Sequence, residues 1–460
     1  MSKTPLWTIA EVARALGLSD PFPDTPIDFV TQDSRLVKPG SLFVALSGTP
    51  SGGFVSSFAS VRDGWEFAAS AEAAGAVAMI VPHRIDGVNI PQLIVKDTLI
   101  DGLWALAAAA RARFDGPVIG LTGSAGKTST KEFIAAYPNA YASPSSFNNF
   151  WGVPLTLCNA DPQASVWVVE MGMNQAGEIC RLSELTRPTV ALVVNVQPVH
   201  LEKLGSIEAI WREKVSIAQG LPKDGVLVLP AALAAPQWAG RIIRFGEAAE
   251  VRELRHAARG ESWDVTAEIC GRPVAFSLTP GAPHRLQNAL AALAAVHGAG
   301  LDARLLASEL GDVGIMSGRG VEQTALGVTL IDDSFNGNPA SVAAALESLK
   351  ARPVSGGRRL AILGDMLELG ADAPAYHEDL AQYLPGIDGV YCVGPLMHHL
   401  YDRLPADKAL GWHEDPTTLA PQAIAAMLRN GDVVVIKGSK KIFWVNKFAP
   451  RLLAALQTRA

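Results

Sequence analysis

Two rhythms of hydrophobic residues run through this chain. Short unbroken apolar runs, bounded by glycine, proline or a polar cluster, alternate with longer alanine- and leucine-rich stretches of helical period. Runs that are apolar at every position suit strands buried on both faces, and their alternation with helices predicts parallel sheets flanked by helices. The expected strands are 42–46, 76–81, 90–95, 117–119, 166–169, 189–194, 225–229, 241–245, 328–331, 360–363, 390–393 and 433–436. Between them, Thr8 is placed to cap a helix reaching residue 16, and an alanine-rich helix over 67–74 stops at Gly75. Asp97 or Thr98 opens a helix to 113, and 284–295 reads as another helix.

The pattern falls into three units, as 460 residues exceed what one core usually serves. Residues 1–112 form an α/β module, 113–317 a second parallel-sheet unit that opens on a glycine-rich turn, and 318–460 a third, Rossmann-like α/β unit. That third unit carries no glycine-rich dinucleotide fingerprint, which suits a lid over a substrate better than a cofactor binder. With 49% hydrophobic and 18% charged residues, the chain is core-forming and not disordered. A net charge of −6 argues against a general nucleic-acid face while leaving room for a local basic pocket. Cys158, Cys180, Cys270 and Cys392 are scattered without C-x-x-C spacing, which points to buried thiols in a reducing compartment. The N-terminus shows no secretory leader and the apolar segment 103–110 is far shorter than a membrane span, so a cytoplasmic protein without membrane insertion is expected.

The candidate chemistry centres on Thr122-Gly123-Ser124-Ala125-Gly126-Lys127-Thr128-Ser129. An apolar run precedes it and a helical stretch follows, the context a phosphate-binding loop requires. Amides at a helix N-terminus attract an anion, Lys127 would reach terminal phosphates, and the Thr128 hydroxyl would hold Mg²⁺. The first glycine of the general pattern is missing: Leu121 stands there, with Gly120 before it. Glu170 and the segment from Asn195 to His200 fall at the carboxyl ends of expected strands, where ligands gather in open parallel sheets. Together they could set an acid and an imidazole beside the phosphates. Each also has a plainer reading: Glu170 as a helix-cap charge, His200 as a loop residue, His284 with Asn288 as a helix-start pair. Asp33-Ser34-Arg35 is either an anion site or a surface turn.

Over its whole length the chain resembles the Mur ligases, ATP-dependent amide-bond-forming enzymes of peptidoglycan synthesis. The resemblance is carried by Asp33-Ser34-Arg35…Pro39-Gly40, by Thr122–Thr128 with Lys131-Glu132, and by Asn148-Asn149…Gly152-Val153-Pro154-Leu155. Glu170-Met171-Gly172…Gly177-Glu178-Ile179 continues it. Asp333-Ser334-Phe335-Asn336…Asn338-Pro339 and the segment from Leu363 to Gly370 are similar to the branch that adds D-alanyl-D-alanine to UDP-N-acetylmuramoyl-tripeptide.

The resemblance implies a fold of three α/β domains: a UDP-substrate module, a P-loop ATPase domain and a Rossmann-like C-terminal domain. It also implies an acyl-phosphate mechanism with ATP and Mg²⁺, in a protein expected to act as a monomer. By the same resemblance, Lys127 and Thr128 bind phosphates and metal, Glu170 and His200 are metal-site residues, and Lys214 is the lysine such enzymes carbamylate. On composition alone Lys214 is an ordinary exposed helix lysine. Asn288, Arg319 and Asp333 match positions around the base, γ-phosphate and ribose, while Asp33, Ser34, Arg35 and Asn149 match substrate contacts. The chain departs from the family pattern at Trp65, Phe150 and Gln175, where histidines are usual, at Ser216 in place of an acid, and over 440–444. These departures imply a ligase with altered kinetics or an altered peptide or amine substrate. A folylpolyglutamate-type ligase and a non-catalytic ATP-binding paralogue are the competing readings.

Overall fold

The computed structural model describes residues 5–459 except 20, 56–59, 61, 200, 260–261, 280–283 and 355. In the first unit, strands Phe29–Thr31, Ser41–Val44, Ala76–Val81 and Gln92–Ile94 lie in that order, all parallel. Thr8 caps the helix Ile9–Ala15 through a reciprocal capping box with Glu11. Asp97 accepts from the N–H groups of Leu99 and Ile100, and the chain then runs through a π-helical turn, Thr98–Trp104, into the helix Ala105–Ala112.

The central sheet has nine strands, in the order Arg272–Leu278, Ser262–Ile269, Val251–Arg259, Arg241–Phe245, Val226–Pro230, Val190–Val193, Val118–Thr122, Val166–Glu170 and Ala140–Ala142. The first three form an antiparallel extension that the apolar-run pattern does not predict. In two of them the signal is alternation instead: Val265, Ala267 and Ile269 are buried, as are Val274, Phe276 and Leu278, with intervening residues more exposed, while Val251–Arg259 is largely exposed. Cys270 and Gly271, at φ 48° and 83°, make the tight hairpin turn between those two strands. On one face the sheet packs against the helix His284–Gly298, whose buried alanines let it lie close on the strands.

On the other face the core is shared with the first unit. Trp7, Ile9, Ile27 and Leu42 belong to the same apolar cluster as Val153, Leu155, Trp167 and Leu182. Trp7 Nε1 donates to the Cys158 carbonyl at 2.9 Å, and Asn159 exchanges two 2.8 Å hydrogen bonds with the Val30 backbone. The third unit has its own cores around a sheet ordered Val321–Ala325, Val328–Asp333, Val433–Lys437, Arg359–Gly364, Gly389–Val393 and Ala409–His413. Its first strand is antiparallel to the second and the others are parallel. Among the described residues no helix is long and apolar enough to cross a membrane.

Candidate active site

Strand Val118–Thr122 lies between Val190–Val193 and Val166–Glu170, all parallel, so the loops after these three strands open along one edge. The helix begins at Lys127, inside the glycine-rich motif, because Gly126 turns the chain at φ 75°. A Cβ at Gly126 would stand 2.6 Å from Asn288 Oδ1, so a glycine is required for Asn288 to approach. The first intrahelical bond runs from Thr130 N to Gly126 O at 2.9 Å, which leaves the first-turn amides of Lys127, Thr128 and Ser129 free of it. Asn195 braces the loop, accepting from Ala125 N at 2.9 Å and donating to its carbonyl at 3.0 Å. Ser124 Oγ donates to Gln197 O and accepts from Gln197 N. Lys127 Nζ folds back onto the Gly123 carbonyl at 2.8 Å. Desolvation pushes its pKa below the ordinary lysine range, Glu170 opposes the shift, and Arg319 adds to it.

Glu170 ends its strand and is 1% exposed. Its N–H donates to Ser143 Oγ at 3.1 Å and its Oε1 accepts from Asn148 Nδ2 at 2.7 Å. Oε2 is buried with no partner among the described residues. An orphaned buried carboxylate oxygen is costly, and a cation is one partner that would satisfy it. Carboxylate and hydroxyl oxygens are the hard donors Mg²⁺ takes, so Glu170 and Thr128 fit that ion. His200 lies outside the described residues.

Lys214 is 2% exposed in the helix Ile207–Val215, which corrects the exposed setting its sequence surroundings suggest. The cause is its neighbour. Glu213 accepts from Gly177 N at 2.7 Å and Ile179 N at 2.9 Å, docking this helix onto the N-terminus of Glu178–Thr186. Burial holds the Lys214 pKa well below the lysine range, Lys127 lowers it further, and Glu213 opposes both. Ser216, one turn after Glu213, donates to the Glu213 carbonyl.

The third unit reaches this edge through Arg319, which sits between Gly318 and Gly320, both at positive φ. Its Nη2 donates to Thr128 Oγ1 at 3.0 Å, and its guanidinium lies 4.2 Å over the Phe335 ring. Beside it a small pocket is lined by Ser129, Glu132, His284, Asn288, Met316 and Arg319. Asn288 Nδ2 is buried there without a partner among the described residues. Asp333, at the end of its strand, pairs with the buried Lys437 at 2.9 Å.

A cleft of about 1020 Å³ opens on the first unit, with Asp33, Ser34, Arg35, Trp65, Lys96 and Trp151 in its wall. Asp33 caps the turn Ser34–Leu36 and binds Arg35 through Nε at 2.8 Å and Nη2 at 2.6 Å, contacts that lower its pKa. This motif is thus both a surface turn and part of the cleft. Asn149 Oδ1 accepts from Gly152 N at 2.8 Å, where the helix Gly152–Cys158 begins. The substituted positions also have structural partners. Phe150 stacks on Phe54 at 5.0 Å, and Gln175 Nε2 donates to the Gly53 carbonyl at 2.7 Å. Arg181 donates to the Gly52 carbonyl at 2.7 Å and lies 3.9 Å over the Phe54 ring. Two departures distant in sequence therefore meet on one loop of the first unit. Trp65 meets His83 edge-on at 5.8 Å. Reading by motif missed Asn195, Gln197 and Glu213 as braces of the site; the strand-end rule pointed only to the segment that holds the first two.

Residues 121–296 match the Mur ligase middle domain, and residues 319–440 match the Mur ligase, glutamate ligase domain. The UDP-N-acetylmuramoyl-tripeptide--D-alanyl-D-alanine ligase of Escherichia coli (strain K12) is 33% identical over 438 residues, covering 91% of this chain and 92% of that one. The crystal structure of MurF from Acinetobacter baumannii superposes with a TM-score of 0.83 at 26% identity, covering 97% of this chain and 99% of that one. The MurF ligase from Thermotoga maritima in complex with ADP gives 0.77 at 26% identity, covering 94% and 98%. Likeness at this level, over both family domains and almost the whole length, means that the chain belongs to the Mur ligase family and is an ATP-dependent ligase.

Proposed function

We propose that this ligase joins D-alanyl-D-alanine to UDP-N-acetylmuramoyl-tripeptide, as a cytoplasmic monomer in peptidoglycan synthesis. The observation that carries the reading is the segment from Asn148 to Trp151. Trp151 and Phe150 line the large cleft, while Asn148 holds Glu170 at the edge of the phosphate loop. A substrate with a nucleotide at one end and a carboxylate at the other suits a cleft joined in this way to a phosphate site. The segments from Asp333 to Pro339 and from Leu363 to Gly370 favour this acceptor over a folylpolyglutamate-type one, and the 33% identity to the Escherichia coli ligase supports it.

A carboxylate is a poor electrophile, and transfer of the γ-phosphoryl group onto it provides a leaving group. Lys127 and the first-turn amides offset the charge on the transferring group, and Arg319 would take the γ-phosphate side. The D-alanyl amine attacks the acyl phosphate, and the tetrahedral intermediate expels inorganic phosphate. Asn288 would meet the base and Asp333 the ribose. Thr128 and Glu170 would hold Mg²⁺, with His200 and Lys214 at a second ion; when bound, the metal supplies charge neutralisation. The depressed pKa of Lys214 favours the neutral amine, the form that adds CO₂ to give a carbamate with loss of a proton.

The test is phosphate release and product mass with ATP, Mg²⁺, D-alanyl-D-alanine and a panel of UDP-muramoyl-tripeptides bearing lysine or meso-diaminopimelate. Release only with a tripeptide present, with a pentapeptide product, is the expected outcome. No release with any pair, or ligation only to a folate, would overturn the reading.

A further inference from the structure

Lys131 is among the largest fully buried side chains of the protein, at 1% exposure, and nothing in the mechanism above uses it. A buried ammonium is costly unless its donors all find acceptors, and a lysine has three. Here the acceptors are the carbonyl of Ser143 at 2.7 Å, the carbonyl of Ser145, and the Glu132 carboxylate at 3.0 Å. Both carbonyls belong to the segment between strand Ala140–Ala142 and helix Gly152–Cys158. Ser145 sits at φ 47°, a left-handed conformation that a serine rarely adopts unaided. The ammonium is bonded to the carbonyl of that residue.

The far side of the same segment meets Glu170. Ser143 Oγ accepts from Glu170 N, and Asn148 Nδ2 donates to Glu170 Oε1. The Asn148 carbonyl in turn accepts from Gly172 N at 2.6 Å. Gly172 must be bare for this, since a Cβ there would stand 2.9 Å from Asn148 Oδ1. The Glu170 carboxylate is thus fixed through one oxygen, and the other is left buried with no partner among the described residues. Lys131 lies one turn beyond Lys127 and Thr128 on the helix Lys127–Ala135. One helix therefore presents the Thr128 hydroxyl directly and reaches Glu170 through the 143–148 segment.

We propose that Lys131 is a positioning residue that sets Glu170 as a metal ligand by tethering this segment. The proposal rests on the reading of Glu170 and Thr128 as Mg²⁺ ligands. Partners that orient metal ligands typically cost about 10- to 100-fold in metal affinity or activity when removed. A lysine that only filled the core would, on removal, weaken nucleotide binding equally with and without metal.

The experiment measures binding of a fluorescent ADP analogue to the full chain in Mg²⁺ and in EDTA, which needs no turnover. Wild type should bind more tightly in Mg²⁺. Lys131→Met should lose about tenfold of that gain, while its affinity in EDTA stays within about twofold of wild type. Asn148→Ser should show the same pattern, and the double variant should be no worse than either, because both act through one segment. Should Lys131→Met fail to fold, Lys131→Leu, which likewise has no donor for the two carbonyls, takes its place. A full Mg²⁺ gain in the Lys131 variant, or equal losses in both buffers, overturns the proposal. No Mg²⁺ gain in wild type overturns instead the metal-ligand reading on which it stands.

Discussion

Phe54 sits at the joint between the first and central units, and truncating it measures how firmly they are fused. The side chain is 4% exposed, stacked on Phe150 at 15°, 5.2 Å from the Trp104 ring and beneath the Arg181 guanidinium. Truncating a buried phenylalanine to alanine costs about 3–5 kcal/mol. Leucine keeps most of the apolar volume and loses the ring contacts, about 0.5–1.5 kcal/mol for the stacked pair. The cation–π contact adds about 0.5–2 kcal/mol. Phe54→Leu should therefore cost about 1–3.5 kcal/mol and Phe54→Ala about 4 kcal/mol. Urea unfolding followed by tryptophan fluorescence reads both, since Trp104 reports from the cluster itself. The loss should fall in a transition common to the first two units, because their buried residues form one cluster. It should raise KM for the UDP substrate and leave ATP affinity unchanged, as none of these residues lines the small pocket at Asn288 and Arg319. A cost below about 1 kcal/mol for the alanine variant, or a first unit that melts alone in the wild type, would refute the reasoning.

Lys214→Met should stabilise the protein at neutral pH while abolishing ligation. With Lys214 uncarbamylated, burial depresses the folded-state pKa, so the unfolded chain binds more protons up to pH 10.5, and wild-type stability should rise with pH over that window. Melting temperatures at pH 7 and 9.5 check this, and a slope that persists in the variant would count against it. Asp365 behaves in the opposite sense. Burial pushes its pKa up to about 6 against 3.8, despite the N–H groups of Leu396 and Met397. Stability should therefore fall as pH rises between those values, by up to about 3 kcal/mol, and urea midpoints at pH 4.5 and 7.5 should show Asp365→Asn losing that dependence. Lys127→Ala should remove acyl-phosphate formation while UDP-substrate affinity in the first unit stays within about twofold, as Lys127 does not line that cleft. Near-normal turnover in a rapid-quench assay would dismiss the phosphate-loop role.

Much of the site was legible because it sits where parallel strands end. The runs leading to Thr122, Glu170 and Asn195 are apolar on both faces, and the sheet sets those three strands side by side. What stayed hidden depends on long-range packing. Lys214 carries no local sign of burial; it is buried because Glu213 finds the amides of Gly177 and Ile179, residues far off in sequence. The approach of Asn288 to Gly126 and the bond from Arg319 to Thr128 likewise join distant segments. The meander over 251–278 escaped for a different reason. Val251–Arg259 is largely exposed and the other two strands alternate with period two, so a search for unbroken apolar runs passes over them.

The departures from the family pattern bear on where this ligase should differ from its relatives. If the substituted histidines had served phosphoryl transfer, their loss would leave gaps beside Lys127 or Glu170. Instead, Gln175 and Phe150 are engaged with Gly53 and Phe54, and Asn148, two residues before Phe150, still holds Glu170. Phe150 and Trp151 also line the cleft that includes the turn at Asp33. A change at these positions reshapes the cleft and tightens the joint beside it while leaving the phosphate edge intact. Recognition of the peptide portion of the substrate, more than the rate of phosphoryl transfer, is thus the property these substitutions should alter. Across a panel of tripeptides, this predicts KM values that vary widely at a nearly constant kcat.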